Sequence, residues 1–142
     1  MTVKGSGSPK SEAAAIWALQ YRLVMSVLTG VAADVAALGL EVKELFVLGE
    51  IDRRPHPAEV AEALSMPKPT VTVYLKRLEA AGLVRRAIDP GDLRRHRLMV
   101  TPAGRKTLSR GQARVSEAFG ERLARLSADE QDELRRLLEA MI

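Results

Sequence analysis

The residues best equipped to do chemistry lie between Lys68 and Leu78. This stretch, Lys68-Pro69-Thr70-Val71-Thr72-Val73-Tyr74-Leu75-Lys76-Arg77-Leu78, contains no acid. If it is helical, Val71, Leu78 and either Tyr74 or Leu75 share one side. Pro69, Thr72, Val73 and Lys76 then form the opposite stripe at spacings of three, four and seven, with Lys68 at the N-terminus and Arg77 alongside. Short polar and apolar groups suit base edges in a major groove, and cations suit phosphates. Thr70, in the first turn, completes this candidate set. The bland alternative is a solvated helix face that happens to hold two lysines and an arginine.

A second cluster shifts that balance. Asp89-Pro90-Gly91-Asp92-Leu93-Arg94-Arg95-His96-Arg97 sets three arginines and a histidine directly after a turn sequence. A long basic hairpin tip built from these residues would project Arg94, Arg95 and His96 toward a nucleic-acid backbone or minor groove. Asp92 is expected to brace Arg94, because a carboxylate facing phosphates is repelled. Arg85 and Arg86, on the preceding strand, could add phosphate contacts or simply charge an exposed edge.

Other chemistries find little support. Cysteine is absent, which removes disulfides, thiolate zinc sites and thiol redox sensing. His56 and His96 have no acidic partners at metal-binding spacing, so no metal site is expected. Neither histidine has a nucleophile and carboxylate arranged around it, and no glycine loop could cradle a phosphate. No catalytic residue and no cofactor are therefore expected. The 142 residues, 46% of them hydrophobic, suffice for one folded domain. From Arg53 to Arg110 there are 13 Lys plus Arg against 5 Asp plus Glu, whereas the rest of the chain carries 9 against 13. A basic middle between acidic ends points to a polyanionic partner. The longest uncharged run, Leu23 to Ala33, is 11 residues, short of the roughly 20 apolar residues of a membrane span. No secretion signal is legible, and a cytoplasmic location without membrane attachment is expected.

The elements that position these clusters follow from periodicity. Residues 1–10, rich in Gly and Ser, read as a flexible arm. Ile16, Leu19, Leu23, Val27, Val31, Val35 and Leu38 recur at spacings of three and four, predicting a helix of about 27 residues over 11–38, closed by Gly39. A second helix over 41–52 is expected to turn Val42, Leu45, Phe46, Leu48 and Gly49 inward, and Pro55 stops it. A short helix from Pro57 to Leu64, the turn Ser65-Met66-Pro67 and a helix from Pro69 to Ala81 make a helix-turn-helix. Residues 83–88 and 97–101 read as a hairpin around the basic tip. Thr101-Pro102 opens a further helix, and Ser127 with Glu130 forms a capping box that starts the last. The fold class is thus mainly α with a small β-hairpin. A winged helix-turn-helix over 39–101 is flanked by helical regions at 11–38 and 102–142. Those outer helices expose more apolar surface than one small domain can cover, which predicts a homodimer.

At this point the sequence resembles the MarR family of bacterial transcription regulators. The resemblance rests on Leu78-Glu79 with Gly82-Leu83-Val84, on Asp89-Pro90-Gly91-Asp92 with Arg94, and on Thr101-Pro102-Ala103-Gly104, all in the family's mutual spacing. It implies an obligate dimer whose first and last helices intertwine, each winged domain sitting on one half-site of a pseudo-palindromic operator in double-stranded DNA. By position it implies that Thr72 and Lys76 face the groove, Arg77 the backbone, and that Arg94 is the wing arginine. The family also implies a small aromatic effector, for which Trp17, Tyr21 and Phe46, with Met25 and Phe119, would border a cleft. Pro67, Val73 and Leu93 depart from the family pattern and leave fewer donors. Either affinity is lower, or the operator is read partly through thymine methyls. The expectation is a dimeric, ligand-responsive DNA-binding repressor; a winged-helix scaffold that binds protein would instead carry a neutral or acidic recognition helix and wing.

Overall fold

The computed structural model describes residues 9–142. Six helices and one hairpin follow one another: α1 (Pro9–Ala37), α2 (Val42–Ile51), α3 (Pro57–Ala63), α4 (Lys68–Ala80), β1 (Val84–Asp89), β2 (Asp92–Val100), α5 (Pro102–Leu123) and α6 (Ala128–Met141). Of the arm expected at 1–10, residues 1–8 lie outside the described residues, and Pro9 and Lys10 belong to the first turn of α1.

One core holds the middle of the chain together. Val31 and Val35 of α1 meet Leu45, Val47, Leu48 and Ile51 of α2, Val60 of α3, Val71, Leu75 and Leu78 of α4, Leu98 of β2 and Leu108 of α5. The inward set on α2 differs from the sequence expectation. Val47 and Ile51 are buried, while Phe46 and Gly49 are only half-buried against a cleft. Because α2 is packed by α1, α4 and α5 at once, apolar residues are needed on more than one of its sides.

Three helix ends are built alike. Leu40 N–H donates to the Val35 carbonyl and Gly39 N–H to Ala36. The same pair of bonds recurs at Leu83 and Gly82, and at Met66 and Ser65. Each is a Schellman closure, which needs a left-handed residue. Gly39 and Gly82 supply φ of 80° and 72°, and Ser65 adopts φ 50° in the turn between α3 and α4.

The outer helices are divided between covered and bare. Val27, Val31 and Val35 are buried, yet Ile16, Trp17, Leu19, Leu23 and Val24, one to four turns earlier on α1, are exposed. α1 is long and apolar enough to cross a membrane by length and composition alone. Its C-terminal half, however, is inserted into the protein core. Arg114 of α5 bonds Asp34 at 2.8 Å, and Arg122 donates to the hydroxyl and carbonyl oxygens of Ser26. α6 starts on the expected capping box, with Ser127 N–H donating to Glu130 Oε2 at 2.8 Å and Glu130 N–H to Ser127 Oγ. It buries no residue within the protomer, and Leu137, Leu138 and Met141 are exposed.

Candidate nucleic-acid interface

α4 begins at Lys68 because Pro67 takes the N-cap position and Pro69 suits the first turn. Pro67 offers no side-chain acceptor, so no capping bond forms there. Val71, Tyr74, Leu75 and Leu78 are buried, which leaves Lys68, Pro69, Thr72, Val73, Lys76 and Arg77 facing out, with Thr70 half-buried. Lys68 and Lys76 make no ion pair among the described residues, so both charges are available.

Arg77, expected to face a DNA backbone, is exposed on α4 and is at the same time paired with acids of the protein. Its guanidinium lies 3.1 Å from Glu41 Oε1 and 3.5 Å from Glu44 Oε1, and 5.8 Å over the Tyr74 ring. Tyr74 O–H donates to Glu41 Oε2 at 3.3 Å. Glu44 is 4% exposed, a charged side chain buried among the core residues, and its carboxylate also closes the capping box of α2 through Glu41 N–H. The hydrogen bond that Arg77 donates to Glu41 raises the Arg77 pKa further. Burial first, then the Glu41 charge, pushes the Tyr74 hydroxyl above its ordinary value. This cluster ties α4 to the start of α2. Sequence reasoning missed it because Glu41 and Glu44 lie 36 and 33 residues before Arg77.

The wing is also more ordered than a long basic tip. Pro90 and Gly91 alone join the strands, and β2 begins at Asp92. Ile88 pairs with His96 while Asp89 pairs with Asp92, so Leu93, Arg94 and Arg95 are extra residues without partners across the ladder. Such a bulge re-aims side chains and bends the strand. Leu93 is 79% exposed, and Arg94, Arg95 and His96 are exposed beside it. The side chains of Arg94 and Arg95 form no ion pair among the described residues. Asp92 does act on Arg94, through the backbone: its Oδ1 accepts the Arg94 N–H at 3.0 Å, not the guanidinium. Arg86 is paired with Glu79, whereas Arg85 is exposed.

The wing is fastened to the helices. Leu98 N–H donates to the Pro55 carbonyl at 2.7 Å. The His56 ring, at the N-cap of α3, lies between Asp89 Oδ2, 3.2 Å from Nε2, and the His96 carbonyl, 3.4 Å from Nδ1. No sequence signal linked Pro55 or His56 to the hairpin.

The aromatic residues expected to border one cleft are separated. Phe46 lines an open cavity of about 390 Å³ with Leu45, Gly49, Leu64, Gln112 and Val115, rimmed by Glu50 and Arg53. Trp17, 65% exposed, and Tyr21 stand instead on the bare half of α1, and Phe119 lines a different cleft with Leu23 and Leu134. They are apart because α1 runs past the winged domain, which its C-terminal half alone touches. No three His, Asp or Glu side chains cluster as metal ligands among the described residues.

Comparison with known proteins gives a consistent picture. A family model described as MarR family matches residues 38–95. The HTH-type transcriptional repressor Rv2887 of Mycobacterium tuberculosis is 32% identical over 125 residues, which are 87% of this chain and 90% of that protein. The crystal structure of Rv2887 complexed with DNA superposes with a TM-score of 0.69 at 31% identity, covering 87% of this chain and 93% of the other. CouR from Rhodococcus jostii RHA1, bound to p-coumaroyl-CoA, gives 0.77 at 26% identity over 89% of this chain and 90% of its own.

Proposed function

This chain belongs to the MarR family of transcription regulators, and from that premise we propose that it acts as a homodimeric repressor of a pseudo-palindromic DNA operator, released by a small aromatic effector. The observation that carries the reading is the pairing of an acid-free outward face on α4 with a bulged wing whose Arg94 and Arg95 have no carboxylate partner among the described residues. Lys68, Pro69, Thr70, Thr72, Val73 and Lys76 would meet the groove and its rims, and Arg94, Arg95 and His96 the flanking backbone. Arg77 would serve by holding α4 at its docking angle. Asp92 would set the backbone of the wing at Arg94.

The bare half of α1 and the exposed stripe of α6 support pairing with a second copy. The cavity beside Phe46 supports an effector site, because it lies between the winged domain and α5, where an occupant can bias the spacing of the two recognition helices. Trp17 and Tyr21, away from that cavity, have their place in the paired surface. The reading gives the chain no catalytic step, cofactor or metal, and locates it in the cytoplasm with the duplex it binds.

Fluorescence anisotropy with a duplex from upstream of its own gene tests this. Binding in the nanomolar range with two protomers per site is expected. The affinity should fall steeply with salt, and Arg95→Ala should lower the slope of log K against log salt by about two, one phosphate from each protomer. Equal affinity for random duplex would overturn the sequence-specific part of the reading.

A further inference from the structure

We infer, resting on the DNA-binding reading above, that the half-site is selected by a thymine 5-methyl group seated against Val73 and the Thr72 methyl, and not by hydrogen bonds from the middle of α4.

The donors on the outward face of α4 decide this. Pro69 has none. Thr72 spends its hydroxyl proton on the Lys68 carbonyl at 3.0 Å, leaving a methyl and oxygen lone pairs. Val73, 49% exposed, has only carbon to offer. Arg77, a residue whose fork could read guanine, is engaged by Glu41 and Glu44 and lies over Tyr74. Of the donors left without a partner among the described residues, Lys68 and Lys76 sit at the two ends of the stripe, and the Thr70 hydroxyl is half-buried in the first turn beside Lys68. The centre of the stripe, Thr72 and Val73, therefore offers methyls and one acceptor oxygen but no donor.

In the major groove each base pair shows a distinct edge, and thymine alone adds a methyl. A guanine facing Val73 would have N7 and O6 stripped of water with no donor in return, a cost that discriminates against it. A thymine there buries its methyl against carbon. The wing adds to this economy of donors, because Leu93 stands exposed beside Arg94 on the bulge.

The test is to select duplexes from a random-sequence library with the full-length protein, then replace each thymine of the enriched half-site by deoxyuridine, which removes only the methyl. One position per half-site should respond, by about fourfold when one half-site is changed and about fifteenfold when both are, the value of one buried methyl in each. Val73→Ala should weaken the thymine duplex and leave the uracil duplex almost unchanged, so that the methyl no longer matters. Val73 is exposed and alanine favours helix, so this variant keeps the fold. An enriched inverted repeat that tolerates uracil at every thymine would overturn the inference and leave the repressor reading standing. No enrichment at all would overturn both.

Discussion

Gly104 shows how one residue can carry a motif. A Cβ added there would stand 2.1 Å from the Leu83 carbonyl oxygen and 2.8 Å from Val100 Cγ1. That oxygen also accepts the Thr101 N–H at 3.0 Å, while the Thr101 hydroxyl donates to the Gly82 carbonyl and accepts from Gly104 N–H. Gly104→Ala must push α5 off the base of the hairpin, and we expect a loss of about 3 kcal/mol in urea unfolding at fixed protein concentration. Thr101-Pro102 was legible because capping is a local demand, whereas Gly104 entered only with the family resemblance, since the Leu83 carbonyl it lies against comes from the other side of the hairpin. The cluster around Arg77 was not legible, since nothing in periodicity joins α4 to acids over thirty residues upstream. That cluster gives a second expectation. The fold favours the protonated Tyr74, whose pKa is raised by burial and by Glu41, so its contribution is intact below about pH 10 and is lost as pH climbs past that value. Unfolding free energy should decline on this alkaline limb, and Tyr74→Phe should flatten the decline.

The elements were more legible than their joints. Helix order, turn positions and both caps at Thr101 and Ser127 follow from local residue types, and the structure places the helix ends within a few residues of the expectation. The hairpin was read as a long basic tip because Arg94, Arg95 and His96 lack the alternation that marks a strand. In the structure they continue β2 through a bulge, and a register shift leaves no periodic trace. The turn between α3 and α4 offers a test at this scale. Ser65 holds φ 50°, where a side chain is strained and glycine is not. Ser65→Gly should raise stability by about 0.5–1 kcal/mol in urea unfolding, net of the entropy glycine adds to the unfolded chain, without altering DNA affinity.

At the scale of the whole molecule, the outer helices decide what the particle is. Leu19 and Leu23 are exposed on the bare half of α1, and charge placed there should keep two copies apart. Leu19→Glu is expected to sediment as a monomer and to bind operator duplex about a hundredfold more weakly or worse, because each half-site is then met alone. A dimer of unchanged affinity would show that this face pairs with nothing. The sequence announced the stripe along α1 but could not say where one protomer's claim on it stops. That boundary, near Val27, depends on where α5 happens to lie. It also has a genetic consequence. The surface by which subunits recruit each other lies apart from the head that reads DNA, so a copy with a ruined wing would still find a sound mate. In a cell making both kinds, most assemblies would carry at least one crippled member, and a single faulty allele would silence much of the healthy product.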